Sequence, residues 1–101
     1  MRTRETKLIH YGIDKEEVVR LRTLALQEEN AALVKVAAEE SNPDLSDFLF
    51  ISLTTGKGYR QVDRETYIPA QEDDFYAYRS RALYIFKLLL KGREAERTAM
   101  V

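Results

Sequence analysis

From Phe75 to Arg93 the chain carries no acidic residue, five basic ones and a regular recurrence of aliphatic and aromatic side chains. At about 100° per residue, Phe75, Tyr78, Ala82, Ile85, Phe86 and Leu89 fall on one broad face of a helix, with Leu83 and Leu90 at its margin. Ser80, Tyr84, Lys87 and Lys91 fall opposite. Ahead of this run stand Pro69, Gln71, Glu72, Asp73 and Asp74. Proline suits a helix's first turn, and acids there face the positive end of the helix dipole. A long amphipathic C-terminal helix opened by Pro69 is therefore the feature around which the rest must pack.

The remaining punctuation divides the chain into helices. Asp14 is a good N-cap, followed by Glu16 and Glu17 in a first turn and by Val18, Leu21, Leu24 and Ala25 at helical spacing. Gln27-Glu28-Glu29-Asn30 breaks that phase, which favours a second helix capped by Asn30 and carrying Leu33, Val34 and Ala37. Pro43 separates it from a third helix over 44–54, with Leu45, Phe48, Leu49, Ser52 and Leu53. Gly56 and Gly58 end that helix, one of them as a left-handed cap. Between 57 and 68, Tyr59 to Glu65 offers one or two helical turns, and Thr66-Tyr67-Ile68 is locally extended. The expected fold class is all-α, a small single-domain bundle of about four helices. A basic arm over 1–13, a helical domain over 14–97 and a short tail over 98–101 complete the layout.

With 101 residues there is room for one core, and an apolar content of 45% is enough to fill it. The formal net charge of −1 gives no global attraction toward nucleic acid or an anionic membrane. The absence of cysteine removes disulfides and thiolate chemistry, and fits a reducing cytoplasm. Neither a signal peptide nor a membrane span is expected. Ala82–Leu90 is far shorter than the roughly 20 residues a bilayer requires.

No set of residues for catalysis stands out, and neither an enzyme nor a cofactor or metal site is expected. His10 is the only histidine, so a histidine triad or metal cluster lacks partners. Glu72, Asp73 and Asp74 are consecutive and fan around a helix start instead of clasping one cation. Gly56-Lys57-Gly58 lacks the spacing of a phosphate-cradling loop. Arg79 is the anomaly, because the wheel places it inside the apolar arc. A guanidinium there needs a carboxylate such as Asp47 or Asp63, or serves as an edge contact for a phosphate or a partner's carboxylate.

Gly58-Tyr59-Arg60-Gln61-Val62, Tyr67-Ile68-Pro69 and the helix Asp74-Phe75-Tyr76-Ala77-Tyr78-Arg79-Ser80-Arg81-Ala82 resemble the C-terminal part of small phage-associated proteins. Among these are the ArpU/RinA-like transcription regulators, whose C-terminal region is similar to the DNA-reading domain of sigma factors. The resemblance implies a helix-turn-helix-like C-terminal half in a phage- or prophage-type regulator. It implies phosphate contacts from Arg60, Arg64, Arg79 and Arg81, aided by Arg2, Arg4 and Lys7. The chain departs from that pattern where a recognition helix meets DNA, since its start carries Glu72, Asp73 and Asp74. The alternative is a protein–protein interaction module, a homodimer among the options, using Tyr76, Tyr84 and Leu88 on the outer flank of the last helix.

Overall fold

The structure, a computed structural model, describes residues 11–100, with side chains through residue 96. The expected arm up to His10, with Arg2, Arg4 and Lys7, lies outside the described residues. Five α-helices follow one another: α1 Lys15–Leu26, α2 Ala31–Ser41, α3 Ser46–Thr55, α4 Tyr59–Thr66 and α5 Glu72–Met100. A short 3₁₀ turn, Glu28–Asn30, joins α1 to α2, and the described residues contain no strand. The count is one more than expected, because Tyr59–Thr66 closes into a full helix on the buried Val62.

Local chemistry sets most of the boundaries. The Asp14 carboxylate accepts the Glu17 N–H at 2.8 Å and starts α1, a cap worth about 1 kcal/mol. The helix stops where Gln27 turns extended. Asn30 does occupy the position before α2, but its side chain does not cap that helix. The amide is buried, donating to the Leu24 carbonyl at 2.9 Å and accepting from Arg93 at 2.8 Å. Tertiary packing thus redirects it, and it ties the α1–α2 corner to α5.

The α2–α3 connection shows a similar delay. The Asn42 side chain accepts the N–H groups of Asp44 and Leu45 at 2.9 and 3.3 Å. These donors are held in an Asx turn, so α3 begins at Ser46 instead of 44. It ends at Gly56, whose φ of 79° is the left-handed cap. Pro69 does not open α5. Ile68 is buried, its N–H is taken by Asp63 at 2.8 Å, and Tyr59 donates to the Ala70 carbonyl at 2.6 Å. These bonds pin Pro69 in a bend, and α5 starts at Glu72.

At 1.5 Å per residue α5 is about 43 Å long, close to the 46 Å long dimension of the molecule. Its most extensive contact is with α2, where Val34, Ala37, Ala38 and Ser41 are buried and mostly small. Ser41 Oγ donates to the Tyr78 carbonyl at 2.7 Å across that seam. Toward the C-terminal half of α5, Leu83, Phe86 and Leu90 pack with Ile13, Leu21, Ala25 and Leu53. Toward its N-terminal half, Phe75 packs with Ala38, Leu45, Leu49, Val62 and Ile68.

The buried arc of α5 is rotated from the one expected. Leu83 and Leu90 are core residues, not marginal ones, and Ser80 is buried although the wheel placed it outward. Ile85 and Leu89 are only half-buried. The cause is that α1 and α3 wrap one flank of α5, drawing that side into the interior. Lys87 and Tyr84, expected to face solvent, are drawn in as well. Lys87 Nζ lies 3.2 Å from Glu17 Oε1, and Tyr84 stacks on Tyr11 with ring centroids 4.8 Å apart. Among the described residues no helix is long and apolar enough to cross a membrane.

Candidate interaction surface

The four arginines expected at a nucleic-acid face stand at three different places in the fold. Arg60 and Arg64 share the outer side of α4, one turn apart. The Arg60 side chain is 84% exposed and its Nε lies 3.9 Å from Glu72 Oε1. Arg81 is also exposed, but it lines an open hollow of about 260 Å³ with Tyr11, Asp74, Ala77 and Tyr78. On the helix it sits about 140° around from Tyr76, the residue through which α5 meets the start of α4. The basic residues of α4 and Arg81 therefore face different directions.

Charge balance sharpens that separation. Between positions 57 and 74, three basic residues stand against five acidic ones. Lys57 is paired with Glu65 at 3.0 Å, and Asp63, Glu72, Asp73 and Asp74 flank the α4–α5 corner. Surface pairs of this kind contribute little stability, but they cancel the local positive field.

Arg79 points inward. Its Nη1 donates to Ser52 Oγ at 3.0 Å, and its guanidinium carbon lies 4.6 Å from the centre of the Tyr76 ring. Ser52 is buried and donates onward to the Lys57 carbonyl at 2.6 Å. A hydroxyl and an aromatic face are thus among the groups that hold the arginine. Asp63, one of the carboxylates expected to pair with it, accepts the Ile68 N–H through one oxygen at 2.8 Å.

The three residues expected at a partner surface differ among themselves. Tyr76 Oη accepts the Tyr59 N–H at 2.9 Å, so this side chain works within the fold. Tyr84 is stacked on Tyr11. Leu88 alone of the three is exposed, at 48%.

A different surface comes together on α1. Val19, Arg22 and Leu26 recur at spacings of three and four, which aligns them on one side of the helix, away from Leu21 and Ala25. Val19 is 65% exposed and Leu26 50%. At the Leu26 end, Arg22, Leu26, Ser52, Leu53, Gly56 and Arg79 surround a concavity of about 40 Å³. Sequence periodicity points to the Leu21 stripe of α1 and passes over this surface. The available signal was the pair Val19 and Leu26, two turns apart, off the core phase and flanking a base.

A wider hollow of about 530 Å³ lies between Asn42, Asp44, Leu45, Pro69, Ala70, Asp74 and Tyr78. Among the described residues no three or more His, Cys, Asp or Glu side chains gather where they could hold a metal ion. Beside this hollow, Tyr59 has its phenol pKa raised above the usual value by burial and then by the carboxylates of Asp63 and Glu72. Its hydroxyl is committed to the Ala70 carbonyl. Comparison with known protein families, curated proteins and solved structures gives no match.

Proposed function

We propose that the chain is a non-catalytic helical module that binds another protein through the outward side of α1. The observation that carries this is the alignment of Val19, Arg22 and Leu26 beside the inward-held Arg79. Scattered exposed aliphatics need no explanation, but two aligned two turns apart with an arginine between them form an apolar patch with a built-in anchor. The partner surface expected on α5 is weaker by comparison, since Tyr76 and Tyr84 already have roles inside the fold.

The DNA-binding, phage-type reading receives less support. Phosphate contacts require cations that converge on one face. Taken as the second helix of a helix-turn-helix, α5 would present Glu72, Asp73 and Asp74 at the end nearest the backbone, where they repel phosphate.

Two measurements on the full chain test the proposal. In fluorescence anisotropy with a labelled duplex of arbitrary sequence at about 50 mM salt, no binding is expected up to about 100 μM, the weak end of nonspecific affinities. Salt-dependent binding that is lost in Arg60→Glu/Arg64→Glu would overturn the proposal. A photo-crosslinking residue at position 19, introduced in producing cells, should give a discrete protein adduct that disappears in Arg22→Glu. Adducts from position 88 alone would move the interface to the outer side of α5.

A further inference from the structure

Gly92 stands in the interior of α5, where glycine is the least favourable residue after proline. The described fold does not call for it. Its φ is not positive, and among the described residues no atom lies within 4 Å of the place its Cβ would take. One turn earlier Leu88 is 48% exposed, opposite the buried arc of Phe75, Ala82, Phe86 and Leu90. We infer that this outward side of α5 seats a second copy of the chain, laid antiparallel across it with Leu88 on the two-fold axis.

Shape and charge both select that arrangement. At about 100° per residue, Arg81, Ile85, Lys91, Gly92 and Ala95 all fall within about 60° of Leu88. In an antiparallel pair centred on Leu88, residues equally far before and after it come level with each other. The half-buried Ile85 then meets Gly92 of the second copy and fills the space its missing Cβ leaves. The exposed Arg81 comes level with Ala95 and beside Glu96 of the second copy, both exposed, and symmetry makes that ion pair twice. A parallel pair would set Arg81, Lys91 and Glu96 each against its own copy, three like-charge contacts. It would also oppose two glycines and leave a void.

From Ala77 to Glu96 the contact strip is about 28 Å long and about 10–12 Å wide. That is small for a specific interface, below about 1,200 Å² in total. The dimer is accordingly weak, half-formed at roughly 100 μM. A phosphate backbone fits this side less well, since it offers no apolar cover for Ile85 and Leu88 and is repelled by Glu96. The inference is independent of the α1 surface. Glu17 turns toward Lys87 of α5, and Val19 lies about 160° around α1 from Glu17, so both surfaces can be occupied together.

The test is sedimentation equilibrium of the full chain from about 10 to 500 μM, over which the parent should pass from monomer to dimer. Gly92→Leu should weaken self-association at least about tenfold while raising the melting temperature measured on dilute monomer. Leucine suits a helix interior better than glycine, and the site is open. The opposite signs separate lost association from lost folding. Arg81→Glu should weaken the dimer about tenfold, and Arg81→Glu/Glu96→Arg should restore it, a rescue that a purely structural role would not give. The chain contains no cysteine, so Leu88→Cys sets one thiol on the axis. Helix axes about 8–10 Å apart bring its two Cα atoms into disulfide range, and mild oxidation should give a covalent dimer that Val19→Cys does not. A monomer at the highest concentration, a dimer indifferent to Gly92→Leu, failure of the charge exchange to rescue, or equal crosslinking from positions 19 and 88 would each overturn the inference.

Discussion

Replacing Asn30 by alanine removes a buried side chain that makes two strong hydrogen bonds, to Leu24 O at 2.9 Å and from Arg93 at 2.8 Å. A neutral bond contributes about 1 kcal/mol and a bond to a charged group about 1.5–3 kcal/mol. Two features of the surroundings reduce the sum. The Leu24 carbonyl keeps the Gln27 N–H at 3.1 Å, and the half-buried Arg93 can turn toward water. The net loss should be about 2–3 kcal/mol. In a domain of this size each kcal/mol moves the midpoint by about 4–8 °C, so the variant should melt roughly 10–20 °C lower.

Thermal and urea unfolding followed by circular dichroism would measure this, and a double-mutant cycle with Arg93→Ala would isolate the shared bond. Coupling of about 1–2 kcal/mol is expected between two residues in direct contact. Asn30→Asp is the informative companion. It retains an oxygen for Arg93 but replaces the donor to Leu24 O with a second acceptor, so it should also destabilise. An alanine variant within about 0.5 kcal/mol of the parent, or strict additivity in the cycle, would refute the role assigned to this bond network.

Two further outcomes follow from the α4–α5 corner. A Cβ at Gly58 would lie 2.9 Å from Tyr76 Oη, so Gly58→Ala should displace the hydroxyl that accepts the Tyr59 N–H. The expected cost is about 1 kcal/mol, largely absent when Tyr76 is already phenylalanine; an equal cost in both backgrounds would disprove the mechanism. Tyr59 has a folded-state pKa above its ordinary 10.0, so the folded chain holds that proton more tightly. Its contribution is fully present below pH 10 and is lost as pH rises through the folded pKa. Urea midpoints should fall more steeply above pH 10 in the parent than in Tyr59→Phe, and identical slopes would show that Tyr59 is not responsible.

Those parts of the fold governed by neighbouring residues were legible in the sequence. Asp14, Pro43 and Gly56 act within a turn of themselves, and the cap, break and left-handed stop follow from their own chemistry. The destination of the Asn30 amide was not legible, since Arg93 reaches it only once α5 has packed against the α1–α2 corner. The rotation of the α5 stripe has the same origin. A wheel gives the hydrophobic face of an isolated helix, whereas α1 and α3 decide which flank is covered. Pro69 read as a helix opener because proline is compatible with a first turn. The bonds from Tyr59 and to Asp63 that hold it in a bend come from α4, the element least evident in the sequence.

Arg79 links the fold to the proposed site. Its place in the apolar stripe marked it in the sequence, where a buried salt bridge and an external ligand stood as alternatives. Its observed contacts lie within the fold. Ser52 and Tyr76 orient the guanidinium within the fold. Ser52 also ties it to the Lys57 carbonyl just beyond the α3 cap, so the Gly56 turn, the α3 end and the arginine form one bonded unit. Arg22, brought alongside by the packing of α1, has no comparable structural duty. The asymmetry between the two arginines gives the surface its logic: one is fixed by the fold, and the other is exposed where a partner can meet it.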